Sequence, residues 1–276
     1  MDHHVVRGIH GSQKAGTRSM AGPKKSLGQH WLKDRQVLSD IADAAEISPL
    51  DTVLEIGPGL GTLTSELLRR AEKVIAVELD GELAAKLPGQ FPGKTLQVIN
   101  EDILDFDLSV LPKNYIVVAN VPYYITSKII QKLLTSDNKP KTTVLLIQKE
   151  VAERLAAEPG DMSILSISAQ IYGDVELDQM VPAHFFTPPP KVDSQVVVVR
   201  TRPEPLIQPE DEKRFFRVVK AGFSAKRKKL RSSLSAGLGI SKTEAEILLK
   251  KADIHPDDRA EALAINQWID LMKIVG

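Results

Sequence analysis

The sequence of 276 residues contains no cysteine. This absence excludes disulfide bonds, thiolate zinc sites, iron–sulfur clusters and a cysteine nucleophile. Long apolar runs are also lacking, since stretches such as residues 144–147 and 196–199 fall far short of the roughly 18 residues that a membrane helix needs. The first 23 residues contain no apolar segment of the kind that a secretory signal requires. The sequence therefore predicts a cytoplasmic protein without a membrane span.

The chain also has no net charge, because its 36 basic and 36 acidic residues cancel. The two signs are nevertheless separated along the chain. Residues 43–107 carry 13 acidic and five basic side chains, whereas residues 213–231 carry nine basic side chains and no acidic one. This separation favours an acidic module and a second module that faces a polyanion such as a nucleic acid. A solvated helix face is the alternative explanation for the basic segment.

Hydrophobic periodicity predicts an α/β fold. Residues 34–45 have helical spacing, and strands then alternate with helices. The predicted strands are residues 52–56, 73–77, 96–99, 115–119 and 143–147, and the helices are residues 60–71, 82–87 and 126–134. Short, β-branched strands of this kind are typical of a doubly wound, Rossmann-like, mostly parallel sheet, here of seven strands. The last two, residues 175–180 and 195–200, lack a long helix between them and predict an antiparallel edge.

Proline spacing predicts a domain boundary. Pro203, Pro205 and Pro209 mark a linker, because closely spaced prolines disfavour both helix and strand. Helical patterns follow at residues 210–221, 228–236, 242–251 and 260–274. Residues 1–23 have no periodicity, although three of the six histidines fall in the first ten residues. We therefore expect a disordered extension over residues 1–23 without a metal site, an α/β domain over residues 24–204 and a small all-helical domain over residues 205–276.

A glycine-rich turn joins the strand at residues 52–56 to the following helix. Glycines at 57, 59 and 61 allow a ligand to approach the backbone, and the helix N-terminus adds free N–H groups. Their G-x-G-x-G spacing differs from the dinucleotide fingerprint, and no P-loop lysine follows. Glu78 and Asp102, at the ends of the next two strands, can accept hydrogen bonds from a ribose and an adenine amine. The set favours a nucleoside pocket, and its spacing fits S-adenosylmethionine better than a nicotinamide dinucleotide.

The turn Asn120-Val121-Pro122-Tyr123 is the most specific pattern in the chain. It follows a predicted strand, at the sheet edge where ligands bind in such folds. The Asn120 amide oxygen and nearby carbonyls can accept hydrogen bonds from a planar amine, and Tyr123 offers an aromatic face. Such bonds push electron density onto an amine nitrogen whose lone pair is otherwise spread into a purine ring, and burial strengthens the effect. The turn therefore predicts chemistry on an exocyclic amine.

In this order the motifs resemble those of the small-subunit (16S) ribosomal RNA adenine N6,N6-dimethyltransferase family. The resemblance covers about residues 24–274. The motifs that carry it are the glycine loop (residues 57–61), Glu78, Asp102, the 120–123 turn, an N-terminal motif at residues 25–32, an aromatic–proline block at residues 185–194 and a basic block at residues 221–231. The N-terminal motif departs from the family pattern, because His30-Trp31 stand where Asn-Phe is usual.

The resemblance implies a class I S-adenosylmethionine-dependent methyltransferase that dimethylates N6 of two adjacent adenosines near the 3′ end of the RNA, in small-subunit maturation. The residues implied for the cofactor are His30, Leu32, Gly57, Gly59, Glu78, Asp102 and Asn120. Those implied for catalysis are Asn120, Pro122, Tyr123 and Phe186. Tyr123 and Phe186 would hold the flipped adenine, and Phe185 would belong to the core. Those implied for RNA phosphates are Lys226, Arg227, Lys228, Lys229 and Arg231. The implied partners are the small ribosomal subunit and its rRNA, with no metal and a monomeric state.

Other functions stay open. A ribosome-assembly factor with little turnover would retain every motif, so only methylation measured beside binding separates it from an enzyme. Large-subunit RNA adenine methyltransferases share the first four motifs, and enzymes acting on glutamine side chains or DNA adenine use a similar turn. The basic block and the helical tail disfavour these enzymes. An NAD-linked oxidoreductase is disfavoured by the spacing of the glycine loop.

Overall fold

The structure, a computed structural model, describes residue 23 and residues 28–276. The predicted disordered extension, apart from residue 23, lies outside the described residues. So do residues 24–27, which contain the start of the predicted α/β domain and of the N-terminal motif.

The α/β part contains nine strands within the described residues: β1 (Trp31–Leu32), β2 (Thr52–Ile56), β3 (Lys73–Glu78), β4 (Leu96–Asn100), β5 (Ile116–Asn120), β6 (Thr142–Gln148), β7 (Gly173–Val181), β8 (Phe186–Thr187) and β9 (Ser194–Thr201). Its helices are α1 (Arg35–Asp43), α2 (Thr62–Leu67), α3 (Gly81–Lys86), α4 (Thr126–Thr135), α5 (Lys149–Leu155) and α6 (Ile164–Gln170). The helical part contains α7 (Glu212–Gly222), α8 (Leu230–Leu238), α9 (Lys242–Lys251) and α10 (Ile265–Val275). Every predicted helix and strand is present, whereas α5, α6, β1 and β8 were not predicted.

Two predicted helices are shorter in the structure. The helix expected over residues 60–71 is reduced to α2. Gly61 adopts a left-handed conformation and forms its N-terminal boundary, and at the other end residues 68–70 form a turn. The helix expected over residues 260–274 begins at Ile265, after a separate 3-10 turn (Ala260–Ala262).

Seven strands form one sheet in the order β4-β3-β2-β5-β6-β9-β7. The first five strands in this order pair in parallel, and β9 is antiparallel to both β6 and β7. This confirms the mostly parallel sheet of seven strands and the antiparallel pair, β7 and β9, at its edge. The edge strand β7 runs parallel to β6, and β9 fills the space between them. The chain crosses from β6 through α5 and α6 to β7 and leaves space for one strand between them. The next long strand, β9, then fills that space.

The core lies on both faces of the sheet. On one face the sheet packs against α1 and α2, where Leu38, Ile41 and Leu67 are buried. On the other face a larger apolar cluster includes residues of α4 and α6 and continues into the helical part, where it contains Phe215 and Trp268. The α/β part and the helical part therefore share a continuous core, and the domain boundary near residue 204 stays a prediction.

Candidate active site

A cavity opens at the carboxyl ends of β2, β3 and β5. Its wall includes all seven residues predicted for the cofactor, which are His30, Leu32, Gly57, Gly59, Glu78, Asp102 and Asn120. It also includes Pro122 and Tyr123 from the 120–123 turn. These residues meet because the carboxyl ends of parallel strands lie at the same edge of a sheet. β1 pairs with β8 and brings the segment from Gly28 to Leu32 to the same cavity.

A hydrogen bond connects the glycine loop to the side chain of Glu78. Gly57 and Gly59 have φ of 66° and 57°, in the left-handed region that glycine adopts at little cost. The Gly59 N–H donates to Glu78 Oε2 at 3.0 Å, and the Asp80 N–H donates to Glu78 Oε1 at 2.8 Å. Burial raises the pKa of Glu78, although these main-chain donors oppose the rise. Each carboxylate oxygen can accept more than one hydrogen bond, so Glu78 retains capacity for ribose hydroxyls.

Glu55 is a cavity residue that the motif analysis did not include. It lies in β2, is 1% exposed, and its Oε2 has no hydrogen-bond partner within the described residues. Burial raises the pKa of Glu55 to about 8; contacts with Thr64 oppose the rise, and the nearby Glu78 adds to it. The glutamate inside the otherwise apolar strand Val53-Leu54-Glu55-Ile56 was the sequence signal that could have identified it.

The charge of the cavity suits a cationic nucleoside. Its described wall contains Glu78, Glu101 and Asp102 and neither lysine nor arginine. A fourth acid of the wall, Glu55, is uncharged near neutral pH because burial raises its pKa to about 8. Carboxyl groups in a concave site produce a negative potential that attracts cations. The unpartnered Glu55 oxygen and the buried, unpartnered Trp31 indole N–H add further polar atoms at the same wall. These residues therefore fit S-adenosylmethionine, which carries a sulfonium charge.

Asn120 ends β5 with its amide orientation fixed. Its Nδ2 donates to the main-chain oxygen of His30 at 3.2 Å. Because this bond uses the amine side of the amide, Oδ1 is the atom available to accept from a substrate amine. The carbonyl of Pro122 accepts from the Ile125 N–H and the Thr126 hydroxyl in the same turn. The structure thus makes Asn120 a better acceptor for a substrate amine than Pro122.

His30 connects the N-terminal motif to two other segments. Its Nδ1 donates to the main-chain oxygen of Pro188 at 2.8 Å, and its ring packs beside Tyr123 with centroids 5.9 Å apart. This ring nitrogen therefore has a protein partner. A contact between His30 and the cofactor stays a prediction.

Phe185 and Phe186 differ in burial. Phe186 is 3% exposed, belongs to an apolar cluster, pairs with Leu32 between β8 and β1, and is not part of the cavity wall. Phe185 is half-buried, packs against the same cluster, and stacks its ring on His184 with centroids 4.5 Å apart. Both rings therefore contact the core, and contact between Phe186 and a flipped adenine stays a prediction.

Within the basic block (residues 221–231), some cations form ion pairs with acidic side chains and others do not. Residues 226–229 form an exposed turn before α8, which begins two residues later than predicted. Lys229 Nζ lies 2.6 Å from Asp257, and Arg231 Nη1 lies 3.1 Å from Glu246 and 3.2 Å from Asp257. Lys229 also holds the pKa of the Asp257 carboxyl below its usual value. In the described chain Lys226, Arg227 and Lys228 form no ion pair, so these three are the cations free to meet a phosphate.

The described residues contain no group of three or more histidine, aspartate or glutamate side chains placed to hold a metal ion. Nor does this part of the chain contain a helix long and apolar enough to cross a membrane.

Two solved structures superpose on most of the chain. The 23S rRNA methyltransferase ErmE has a TM-score of 0.75 and 30% identity, covering 88% of this chain and 98% of its own. A dimethyladenosine transferase from Plasmodium falciparum has a TM-score of 0.76 and 30% identity, covering 88% and 96%. The fold and the cavity therefore define a methyltransferase of the Rossmann-like class.

Sequence comparison narrows this class to a family. The family model described as "Ribosomal RNA adenine dimethylase" matches residues 20–276. A protein named "Ribosomal RNA small subunit methyltransferase A" from Dehalococcoides mccartyi is 43% identical over 249 residues, covering 89% of this chain and 86% of that protein. Its namesake from Bacillus cytotoxicus is 41% identical over 258 residues, covering 89% and 88%. The chain belongs to the ribosomal RNA adenine dimethylase family, which confirms the resemblance drawn from its motifs.

Proposed function

We propose that this protein transfers methyl groups from S-adenosylmethionine to N6 of two adjacent adenosines near the 3′ end of small-subunit rRNA, giving N6,N6-dimethyladenosine, and thereby acts in small-subunit maturation. The observation that carries the proposal is the fixed amide of Asn120, whose Oδ1 is available at the wall of an acidic cavity. Family membership and the names of relatives at 41–43% identity support the reaction and favour small-subunit over large-subunit RNA.

Different residues of the cavity bind different parts of the cofactor. Glu78 accepts from the ribose, Asp102 from the adenine amine, and the glycine loop allows close approach of the backbone. When bound, S-adenosylmethionine supplies an electrophilic methyl group on sulfur. The acids that line the described wall favour this positively charged form.

The 120–123 turn activates and orients the target amine. Asn120 Oδ1 accepts from an N6–H, which returns electron density to the nitrogen, and Tyr123 contacts the face of the base. A base must leave its stack to reach this position. Burial raises the pKa values of Glu55 and Tyr123, so both are protonated near neutral pH and neither serves as a strong general base. The methylated amine becomes acidic and loses its proton late, and placement supplies most of the rate.

The helical part holds the RNA outside the cavity. Lys226, Arg227 and Lys228 contact phosphates, which fixes the position of the substrate without reading its bases. The protein acts as a monomer on the small ribosomal subunit. A ribosomal substrate implies action in the cytoplasm.

The reaction is tested by incubating the protein with tritiated S-adenosylmethionine and unmethylated small subunits, followed by nucleoside analysis. We expect the label in N6,N6-dimethyladenosine from two adjacent positions. Label confined to other nucleosides would contradict the proposal. Stable binding to small subunits without any transfer would instead support an assembly factor.

Asn120→Ala should lower the rate of methyl transfer by about a hundredfold or more, the scale seen when one preorganised polar group is removed. We expect the substitution to reduce the rate and not the binding affinity, because the hydrogen bond from N6 to Asn120 strengthens as positive charge develops on the nitrogen. Affinity for the subunit should barely change, since phosphate contacts dominate it. Single-turnover kinetics with saturating cofactor and subunits measures the rate. Transfer at the parental rate, or a loss confined to subunit binding, would show that the turn is structural.

A further inference from the structure

Ser194 is the first residue of β9 and is fully buried. Its Oγ lies 2.6 Å from the hydroxyl oxygen of Tyr123. We propose that Ser194 is a positioning residue for methyl transfer, because its hydroxyl holds the Tyr123 ring in the orientation that receives the target base. This inference rests on the role proposed above for the 120–123 turn and adds a residue outside that turn.

The position of Ser194 is set by the sheet. Ser194 pairs with Gln148 of β6 on one side and with Val181 of β7 on the other. The residue before it, Asp193, is also fixed, because its carbonyl accepts from the Lys149 N–H at 3.0 Å and its Oδ1 accepts from the Ala183 N–H at 2.9 Å. Groups carried on strands hold a site more accurately than groups carried on loops. Ser194 therefore offers a rigid anchor beside the cavity.

Tyr123, in contrast, lies in a 3-10 turn at the cavity wall and is half-buried. Its hydroxyl is held by Ser194, and one side of its ring packs beside His30. Contacts at the hydroxyl and at the ring together fix both the direction and the tilt of the phenol. Burial also raises the pKa of Tyr123, so the phenol stays uncharged near neutral pH, and either hydroxyl can donate in this bond.

The Tyr123–Ser194 bond has an energetic reason to persist. A fully buried hydroxyl that loses its partner pays the cost of desolvation without compensation. Swinging the Tyr123 ring away from the site would separate the two oxygens. The bond therefore resists motions of the ring that would misplace a stacked base, and small displacements of this kind reduce the rate of an oriented reaction.

The test compares Ser194→Ala, Tyr123→Phe and the double variant in single-turnover transfer of the first methyl group to unmethylated small subunits. We expect each single variant to be about five- to tenfold slower than the parent, with the affinity for S-adenosylmethionine unchanged within about twofold. Since both substitutions remove the same bond, the double variant should be no slower than the slower single variant. Ser233→Ala removes an equally buried hydroxyl from α8 and should leave the rate unchanged.

A parental rate in Ser194→Ala or Tyr123→Phe would overturn the inference, and so would losses that multiply in the double variant. Tyr123→Phe removes the same hydrogen bond at a half-buried residue. If Ser194→Ala does not fold, the transfer rate of Tyr123→Phe therefore tests the inference. Asn120→Ala separates this result from failure of the proposed site. A slow Asn120→Ala beside a fast Ser194→Ala rejects only the role of Ser194, whereas parental rates in both reject the 120–123 turn as the place of reaction.

Discussion

At the scale of the residue, Glu78 holds the glycine loop and is also the proposed acceptor for the ribose of the cofactor. Its carboxylate accepts from the N–H groups of Gly59 and Asp80, and it borders the cavity at 5% exposure. Replacing it therefore removes the ribose acceptor and releases the glycine loop at the same time. This double role makes Glu78 the strongest test of where the cofactor binds.

Glu78→Ala should weaken binding of S-adenosylmethionine by about 2–4 kcal/mol, because two charge-assisted hydrogen bonds to the ribose are lost. Titration calorimetry measures the affinity, and circular dichroism checks the fold. Asp105→Ala is the matched control, since this exposed acid lies near the cavity but outside its wall. Binding by Glu78→Ala within twofold of the parent would place the cofactor elsewhere.

Glu55 makes stability depend on pH. Its pKa is about 8 in the folded protein against an ordinary value of 4.5, so the folded state retains a proton that the unfolded chain releases. The stabilisation from this proton is complete below pH 4.5 and is lost as pH rises through about 8. A difference of one pKa unit corresponds to about 1.4 kcal/mol, so the rise from 4.5 to about 8 corresponds to a total on the order of 5 kcal/mol.

Glu55→Gln keeps the shape of the neutral acid and cannot ionise. Its unfolding temperature should therefore exceed that of the parent at pH 9, and the difference should shrink toward pH 5. Thermal unfolding followed by circular dichroism at the two pH values measures this change. A difference of the same size at both values would show that the carboxyl group of Glu55 does not titrate across this range.

At the scale of the element, the turn before α8 separates free cations from paired ones. Lys226, Arg227 and Lys228 are exposed, whereas Lys229 and Arg231 contact Asp257 and Glu246. An ion pair must be broken before its cation is fully available to a phosphate. Five adjacent basic residues in the sequence are therefore not equivalent in the fold.

Changing Lys226, Arg227 and Lys228 together to alanine should flatten the log–log salt dependence of subunit binding by about two to three units, because each phosphate contact releases about one counterion. The double variant Lys229→Ala, Arg231→Ala is the comparison and should change the slope less. Cofactor affinity should be unaffected in both. Filter binding over a range of salt concentrations gives the slopes. Equal slopes in the triple variant and the parent would mean that the turn is only a solvated surface.

At the scale of the whole molecule, the α/β part and the helical part are tied together. One apolar cluster extends through both, and Tyr172 donates to Glu212 at 2.7 Å across the junction. The main-chain oxygen of Glu261 also accepts from the N–H groups of Gly160 and Met162. A boundary drawn near residue 204 would cut through these contacts.

The protein should therefore unfold in one cooperative transition, with equal calorimetric and van't Hoff enthalpies. S-adenosylhomocysteine, the demethylated cofactor, should move that whole transition to higher temperature, because it binds only the folded state. A chain ending at residue 204 should aggregate, since it exposes the apolar surface that the helical part covers. Two separate transitions in scanning calorimetry, with only one moved by the ligand, would show that the parts are independent.

The sequence by itself determined most of the helices and strands and the edge of the sheet at which the candidate site lies. β2 and α9 match their predicted bounds, because apolar periodicity and a capping box at Ser241 act between near neighbours. Glu78, Asp102 and Asn120 were expected together because Glu78 and Asn120 end strands of a parallel sheet and Asp102 closely follows another. Their common edge follows from topology alone, without knowledge of any side-chain contact.

Only the tertiary structure decided which groups meet across the fold. It inserted β9 between β6 and β7, buried Phe186 more deeply than Phe185 and raised the pKa of Glu55. It also joined Tyr123 to Ser194, 71 residues further along the chain. These outcomes depend on packing between distant segments and on the low dielectric of the interior. Neither is encoded in the local periodicity from which the elements were predicted, because each arises only once the segments have come together.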